Sequence, residues 1–313
     1  MESPLPPLRW IVGPERADQR LDHFLREHLP ALGRHALRRL LQADREALRV
    51  DGRRPALGLR LRAGQCVELS EAAARPTPAA QPELPLVVIA TTERWVVIDK
   101  PPGMPTHPLR PLETGTVANA LLARFPECAS ASAYGREAGL MHVLDSGTSG
   151  VMVADRDRAT YEALRAHFTR HAVTKGYLAL VAGALAQETT ITLAIASLPS
   201  DRRRVQTVAT GGTEGRPART EVRPLARLGG WTLVQATTCS GARHQIRVHL
   251  AALGHPLAGD VLYGGAPLAG LTGPLLHAQA IAWDDVRYEA LLPRAWRALL
   301  LQLPGASDDR LPP

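Results

Sequence analysis

Lysine is nearly absent from this sequence, and aromatic residues are also rare. Of the 37 Lys and Arg residues in the 313-residue chain only two are lysines, Lys100 and Lys175, and aromatic residues make up 4%. Because arginine is used at all the other basic positions, we infer a specific need for lysine at these two. Both lysines lie within the motifs described below.

Cysteine is scarce as well, and its spacing excludes several classes of protein. Cys66, Cys128 and Cys239 are scattered and form no CxxC pair. Three such residues are too few for a disulfide framework and lack the spacing of a structural zinc site. This usage fits a reducing compartment, and we therefore expect a cytoplasmic protein.

Long hydrophobic runs are missing. No segment approaches the roughly 20 apolar residues that a membrane-spanning helix needs. Residues 1–8 lack the basic and then apolar pattern of a secretory signal. We therefore expect neither membrane insertion nor secretion. Hydrophobic residues still make up 45% of the chain, which is enough for a buried core.

Positive charge predominates, with a formal net charge of +7 at pH 7. Such an excess fits a polyanionic partner such as nucleic acid, although many basic proteins have no acidic partner. Charge alone therefore does not identify the partner, and the evidence for one has to come from the motifs.

Residues 15–70 have the pattern of a small separate unit. Apolar residues recur at helical spacing over 21–29 and 37–41, and strand-like segments follow at 48–50 and 66–69. The second predicted helix carries Arg34, Arg38 and Arg39. A face that contacts nucleic acid and a merely solvated helix face both fit this pattern, and the residues alone leave the choice open.

The rest of the chain has the pattern of one larger α+β domain. Residues 71–85 are rich in Ala and Pro and predict a semi-rigid linker. Residues 304–313 predict a disordered tail. Between them, over 86–303, strand-like segments follow one another closely, which predicts a largely antiparallel sheet with flanking helices. Strands are predicted at 95–98, 151–154, 177–181, 189–193, 205–209 and 232–237, and helices at 117–124, 159–170 and 243–253.

The segment with the most chemical information is residues 142–150, HVLDSGTSG. Two apolar residues lead to Asp145, and small polar residues and glycines then enter a predicted strand. This pattern predicts an aspartate on a tight loop, where Gly147 and Gly150 permit unusual backbone angles. From composition alone, a simple Asx-turn that only caps the loop is the alternative.

This segment and five others, in order along residues 90–280, resemble the signatures of the RluA-type (RluA-, RluC- and RluD-like) RNA pseudouridine synthases. Residues 142–150 resemble HRLDxxTSG. The other segments are DKPPGMPTH at 99–107, like KPxGxxxH; KGYLALVAG at 175–183, like KxYxAxVxG; RPART at 216–220, like KxAxT; SGARHQIRVH at 240–249 with LGHPLAGD at 253–260, like TGRxHQIRxH and GHPxxGD; and LLHA at 275–278, like LHA.

The small N-terminal unit resembles a second family. RLDHFL, GRHALRRLL, RVDGR and AGQCVEL, which lie between residues 20 and 69, resemble the αL-type RNA-binding domain first seen in a small-subunit ribosomal protein. Gly33 and Asp51 are mild departures, because members often have Ser and Asn there. The resemblance implies that the basic helix and the strand turn face RNA phosphates.

The first resemblance implies both a fold and a reaction. The fold is the α+β pseudouridine synthase fold, and the reaction is the cofactor-free isomerisation of uridine to pseudouridine in structured ribosomal or transfer RNA. The target base is flipped out of the stack. Asp145 is then the nucleophile or general base, Arg247 its charge partner and Tyr177 the stacking partner of the uracil. RNA contacts are expected from Arg34, Arg38, Arg39, Lys100, His142, Lys175, Arg243 and His244. No feature demands a dimer, and we expect a monomer.

Without the resemblance, several of these residues have plainer interpretations. Arg247 fits a surface arginine on an amphipathic helix, and Tyr177 fits a core tyrosine of a strand. The basic, Gly-rich loop over residues 201–219 is expected to clamp the RNA backbone or to form a solvated hairpin.

Two departures from the family pattern keep a second hypothesis open. Val143 stands where the family usually has an arginine thought to help push the target base out of the stack. Ala242 replaces the usual arginine of TGR, although Arg243 follows it directly. The second hypothesis is a catalytically weakened RNA-binding or ribosome-assembly factor on the same fold.

A third hypothesis is a hydrolase that cleaves glycosidic bonds, which requires a second carboxylate. Asp99 and Asp155 are nearest in sequence, but no motif supports them. We expect no metal, because His142, His244, His249 and His277 lie on separate predicted elements without the spacing of a zinc site. The absence of GxGxxG and GxxxxGK[ST] motifs agrees with a cofactor-free reaction.

Overall fold

The computed structural model describes residues 8–29, 46–56, 58–70, 77–109, 113–132, 135–209 and 215–312. Near the N-terminus, three strands form an antiparallel sheet in the order β1-β3-β2, with β1 at Leu8–Ile11, β2 at Leu48–Val50 and β3 at Cys66–Leu69. Helix α1, Leu21–His28, buries Leu21, Phe24 and Leu25 in the core of this unit. The unit begins before residue 15, because β1 pairs along its whole length with β3.

The second predicted helix of this unit, with Arg34, Arg38 and Arg39, lies outside the described residues. The predicted turn after β2 is present. Asp51 and Gly52 have φ of 50° and 72°, and the Asp51 carboxylate accepts hydrogen bonds from the Cys66 amide at 2.8 Å and from Gln65 at 2.9 Å. The turn therefore locks β2 onto β3 through a side chain as well as through the ladder.

A mixed sheet of nine strands forms the large domain. Its order is β4-β5-β6-β13-β7-β12-β11-β8, with β14 paired to β13. The strands are β4 Val87–Thr91, β5 Trp95–Lys100, β6 Ser149–Asp155, β7 Thr174–Ala182, β8 Thr189–Ile191, β11 Thr220–Leu228, β12 Trp231–Thr238, β13 Leu276–Trp283 and β14 Val286–Glu289. The β6–β13 pair is parallel and the other pairs of this sheet are antiparallel. A separate hairpin joins β9 Ala194–Ser197 to β10 Val205–Val208.

Helices cover the sheet where its strands are apolar on both faces. They are α2 Val117–Arg124, α3 Cys128–Ala131, α4 Arg158–Thr169, α5 Gln245–Ala252 and α6 Arg294–Leu301, with 3-10 turns at Pro14–Arg16, Gly135–Glu137, Val261–Tyr263 and Asp308–Arg310. Strand β6 is buried at every position, and β7 buries Leu178 and Leu180 on one face and Ala179 and Val181 on the other. Covering both faces explains why these strands are continuous apolar runs. The predicted α+β class is confirmed.

Polar caps explain where two of the predicted helices begin. Thr116 and Asn119 form a reciprocal capping box at the start of α2, and the Asp157 carboxylate accepts the Thr160 amide at 2.9 Å at the start of α4. The predicted bounds of these helices agree with the observed ones to within one residue.

Both ends of the large domain differ from the linker and tail that composition predicts. Pro78 is buried, and Asn119 of α2 donates to the Ala79 carbonyl at 2.7 Å. At the other end, the 3-10 turn Asp308–Arg310 precedes a buried Leu311, and Arg297 contacts the Asp308 carboxylate at 2.8 Å. Specific contacts with α2 and α6 hold the described residues of both segments in place, which composition alone does not reveal.

Asp155, at the end of β6, is a buried carboxylate within the main core. Its side chain is fully buried, and neither carboxylate oxygen has a hydrogen-bond partner among the described residues. Burial, followed by the nearby charge of Asp157, raises the pKa of Asp155 to about 7. The folded protein therefore holds this proton more tightly than the unfolded chain does.

We predict that Asp155→Asn stabilises the protein at alkaline pH. Because the folded-state pKa lies above the ordinary value of 3.8, wild-type stability falls as the pH rises from about 4 through 7, by up to roughly 1.4 kcal/mol per unit. At pH 8 the variant should unfold about 5 °C or more above wild type, and the difference should close near pH 4. Thermal unfolding at both pH values checks this, with the exposed Asp285→Asn as control. An equal difference at both pH values contradicts it.

Candidate active site

The loop that carries Asp145 is fixed from behind by the segment that follows β5. Thr106 and Leu144 exchange two hydrogen bonds, from the Thr106 hydroxyl to the Leu144 carbonyl at 2.7 Å and from the Leu144 amide to that hydroxyl at 3.1 Å. The Gly103 amide donates to the Ser146 carbonyl at 2.7 Å. These bonds hold the backbone in place on both sides of Asp145.

Lys100 lies inside this support, although the sequence predicts that it contacts RNA. Its side chain is fully buried, and its Nζ donates to the carbonyls of Pro101 at 3.0 Å, Met104 at 2.7 Å and Ser146 at 3.0 Å. Burial lowers the pKa of Lys100 to about 8. All three protons of the ammonium group are therefore used within the protein, and Lys100 ties two loops together rather than facing the solvent.

Arg247, in the first turn of α5, joins two carboxylates. Its Nε and one terminal nitrogen donate to the two oxygens of Asp260, both at 2.8 Å, and the other terminal nitrogen donates to Asp145 Oδ2 at 2.9 Å. Burial opposes the guanidinium charge, but the hydrogen bonds to Asp260 and Asp145 raise the pKa of Arg247 above its ordinary value. The structure thus brings together Asp145 and Arg247 as predicted, and it adds Asp260.

The start of α5 is held by a buried glutamine. The side-chain oxygen of Gln245 accepts from the Ser240 hydroxyl at 2.9 Å and the Ala242 amide at 3.1 Å, and its nitrogen donates to the Thr238 hydroxyl at 2.8 Å. This network ties the end of β12 to the helix that carries Arg247. Because Gln245 is buried, breaking these bonds would leave buried polar groups with neither a protein partner nor water to bond to.

His244, the N-cap of α5, lies between Asp145 and the neighbouring 3-10 turn. It has a left-handed backbone, with φ of 53°, and its Nδ1 is 2.8 Å from the Tyr263 hydroxyl. Its Nε2 is 3.7 Å from Asp145 Oδ1, too far for a hydrogen bond. Burial is the largest influence on the pKa of His244 and lowers it, so this ring is neutral near pH 7.

These side chains surround an open cavity of about 430 Å³. Tyr177 of β7 forms part of its wall, as predicted, and the Asp145 side chain faces it with 28% of its surface exposed. Arg165 of α4 and Arg216, before β11, also line the cavity and are exposed. The cavity therefore combines one aromatic wall, one carboxylate and a basic rim.

His142 and Lys175, both predicted to contact RNA, lie side by side in the cavity wall. The His142 ring stacks on Phe168, with ring centres 5.7 Å apart, and the Lys175 ammonium donates to the Ser240 carbonyl at 2.6 Å. Burial, with the charge of Lys175, lowers the pKa of His142 to about 3, and burial lowers that of Lys175 to about 8. Near pH 7 the histidine is neutral and the lysine remains largely charged.

Arg243 borders the cavity, but its guanidinium is engaged elsewhere. Its two terminal nitrogens donate to the carbonyls of Arg202 at 2.9 Å and Arg203 at 3.0 Å, in the loop between β9 and β10. The predicted RNA contact of Arg243 therefore competes with two hydrogen bonds inside the protein.

The second carboxylate that a hydrolase requires is missing from the described lining of the cavity. Asp145 is the one acidic residue there, and neither Asp99 nor Asp155 lines it. Asp155 lies at the far end of β6, six residues beyond Ser149, which corresponds to roughly 20 Å along a strand. Also within the described parts of the chain, no group of three or more His, Cys, Asp or Glu side chains is arranged to hold a metal ion, and no helix could span a membrane.

Several residues of the site escaped the sequence-based prediction. Asp260 belongs to the GD pair of a quoted motif, but no pattern links it to Arg247. Tyr263 and Gln245 act through contacts between elements, and Arg165 looks like any exposed arginine on a helix. Arg216 occupies the first position of the RPART motif, which could have singled it out.

The fold and the cavity together define a class of protein. An arginine-held carboxylate beside an aromatic wall and a basic rim fits an enzyme that acts on an anionic substrate with a flat ring. Comparison with known proteins makes the class specific, since residues 94–252 match the family model described as RNA pseudouridylate synthase.

Curated relatives agree over most of the chain. It is 35% identical to an uncharacterised RNA pseudouridine synthase of Chloroflexus aurantiacus, covering 81% of this chain and 78% of the relative. It is 33% identical to ribosomal large subunit pseudouridine synthase D of Xanthomonas campestris, covering 95% and 92%. The solved structure of human RNA pseudouridylate synthase domain containing 1 superposes with a TM-score of 0.52 at 25% identity, covering 67% of this chain and 83% of that one. The chain belongs to the RNA pseudouridylate synthase family and is an RNA pseudouridine synthase.

We predict that Lys100→Met lowers stability without a specific loss of RNA affinity. The substitution removes a buried donor from three carbonyls and should cost about 2 kcal/mol or more. Thermal unfolding and RNA filter binding of the folded variant check both parts. Arg165→Met is the matched control, because it removes an exposed cation of the cavity and should weaken RNA binding with little effect on unfolding. If Lys100→Met weakens binding and leaves stability unchanged, the buried role is wrong.

We predict that Asp260→Asn lowers kcat by about 100-fold while RNA affinity changes less than about threefold. An amide accepts from only one side of the guanidinium fork, so Arg247 loses the orientation that directs it to Asp145. Single-turnover conversion and filter binding, at a temperature where the variant is folded, separate the two effects. Asp285→Asn should match wild type in both. An unchanged kcat for Asp260→Asn means that Arg247 needs no second carboxylate.

Proposed function

We propose that this enzyme isomerises a specific uridine in structured ribosomal RNA, with Asp145 as the catalytic carboxylate. The observation that carries the proposal is the Arg247–Asp145 contact in a cavity with no other described carboxylate in its lining. Relatives named ribosomal large subunit pseudouridine synthase D, in Xanthomonas campestris and Xylella fastidiosa, support large-subunit RNA as the substrate. Transfer RNA is the alternative from the sequence.

The geometry suits a carboxylate that reacts while it is ionised. Asp145 Oδ2 accepts from Arg247, whereas Oδ1 has no hydrogen-bond donor within 3.5 Å in the described part of the chain. The guanidinium places a positive charge directly against the carboxylate and fixes its orientation. The free oxygen then serves as nucleophile or general base when the bond between the ribose and uracil N1 breaks. The uracil turns and is rejoined through carbon five, and the hydrogen on that carbon leaves as a proton.

Tyr177 is proposed as the surface on which the uracil stacks. It lies opposite Ala278 of β13 and Ala236 of β12, and these small neighbours leave its ring room at the cavity wall. Stacking on an aromatic ring is worth about 1–3 kcal/mol per base and tolerates rotation of that base. A uridine in folded RNA reaches the wall only after it is flipped out of the helix.

The cations around the cavity are proposed to hold the RNA backbone. Arg165 and Arg216 are exposed in its lining, and neither is bonded to a carboxylate within the described part of the chain. Lys175 adds a third positive charge. Val143 is 62% exposed beside Asp145, so the departure from the family pattern places an apolar side chain at the mouth. A cytoplasmic location and a monomeric state stay predictions from the sequence.

We predict that Asp145→Asn abolishes turnover by on the order of 10³-fold or more and leaves RNA affinity within about threefold. The probes are transcripts of bacterial large-subunit ribosomal RNA and of transfer RNA, labelled with tritium at uracil carbon five. Tritium release measures turnover and filter binding measures affinity, with Asp285→Asn as control. Substantial residual release by Asp145→Asn would falsify the catalytic assignment. No release by wild type, with RNA bound, supports the catalytically weakened RNA-binding factor instead.

A further inference from the structure

The hairpin of β9 and β10 ends in a short loop of concentrated positive charge. Residues 198–204, which we call the arginine loop, contain three successive arginines after Asp201. The Asp201 carboxylate accepts from the Arg203 amide and from two nitrogens of the Arg203 guanidinium, all at 3.0 Å. The charge of Arg203 is thereby offset within the loop. The exposed Arg202 makes no ion pair or side-chain hydrogen bond with any residue in the part of the chain that the structure describes.

Two residues next to the catalytic arginine fasten the arginine loop. The Arg243 guanidinium spans two consecutive carbonyls, those of Arg202 and Arg203, and the Tyr263 hydroxyl accepts the Val205 amide at 3.0 Å. The Arg204 guanidinium lies over the Tyr263 ring, 5.5 Å from its centre. The loop is therefore attached both to the segment just before α5 and to the 3-10 turn Val261–Tyr263.

The choice of arginine at position 243 matches this geometry. A guanidinium presents parallel N–H groups that reach two carbonyls at once, whereas an ammonium group is a point donor. Through these two bonds Arg243 fixes a loop whose arginines repel one another. A loop held in place before RNA arrives loses less conformational entropy on binding.

We propose that Arg243 is a positioning residue, which holds the arginine loop beside the active-site cavity so that Arg202 binds a backbone phosphate of the RNA. The proposal rests on the proposed function, since it places that phosphate near the target uridine. It differs from the expectation that Arg243 itself contacts RNA. The ligand chemistry is a phosphodiester oxygen met by an exposed guanidinium, which carries no sequence information and sets affinity and register.

A double-mutant cycle tests the proposal, with wild type, Arg243→Met, Arg202→Ala and the double variant. The probe is the tritiated transcript of bacterial large-subunit ribosomal RNA. Each single variant should raise KM by about five- to tenfold and leave kcat within about twofold. The double variant should have the same KM as Arg202→Ala, because the position of the loop no longer matters once Arg202 cannot bind the phosphate. Additive losses overturn the proposal.

The salt dependence of filter binding provides a readout that needs no turnover. Arg202→Ala should reduce the slope of log K against log salt by about one. Arg243→Met in that background should leave the slope unchanged. A further decrease of about one means that Arg243 binds phosphate itself and overturns the proposal. If wild type releases no tritium from the transcript, the proposed function is contradicted. The salt slopes of filter binding then still decide the role of Arg243.

Two further variants separate position from charge. Arg243→Lys keeps the charge but cannot span both carbonyls, so it should raise KM as Arg243→Met does. Full rescue by lysine contradicts the proposal, because charge alone would then suffice. Arg294→Met removes an exposed charge from α6 and should leave KM and the slope close to wild type, with thermal unfolding as the check that each variant is folded.

Discussion

One buried guanidinium shared by two carboxylates is the interaction on which the rest of the site depends. Asp260 takes two nitrogens of Arg247 and so directs the third toward Asp145. Two carboxylates and one guanidinium leave a net negative charge beside Asp145, which suits the nucleophile or base that we propose it to be. A lysine in place of Arg247 supplies the charge but not the two fixed directions. Asp260, which does not line the cavity, thus orients Asp145 through Arg247.

The parallel pair of the sheet sets the spacing between two sides of the cavity, the loop of Asp145 and the strand of Tyr177. Gly150 of β6 lies against Ala278 of β13, and a Cβ at position 150 would be 2.2 Å from the Ala278 carbonyl oxygen. This close approach, with φ of 117°, admits only glycine without a shift of the strands. Asp145 precedes β6 and Tyr177 lies opposite Ala278, so both sides of the cavity depend on the same strand spacing.

The sequence predicted a large part of this arrangement, because its signals are local or follow a known order of motifs. The helix at 117–124 has the predicted bounds, since its apolar positions and its Thr116 cap are neighbours in the chain. Asp145, Tyr177 and Arg247 meet as the resemblance implied. The prediction that Lys100 contacts RNA was wrong, because charged residues are usually exposed. No local sequence pattern indicates that three backbone carbonyls surround its ammonium group. Asp260 and the engagement of Arg243 depend on contacts between elements, which spacing does not encode.

The ordered segment before β4 limits how far apart the two units of the chain can lie. With Pro78 and Ala79 held against α2, only residues 71–76 separate Ser70, at the end of the small unit, from Thr77. Six residues span at most about 25 Å when fully extended. If the small unit grips RNA, the nucleotides it holds are therefore presented to the cavity at a high effective concentration. In that case the length of the connection restricts the uridines that can reach the cavity to those close to the bound site.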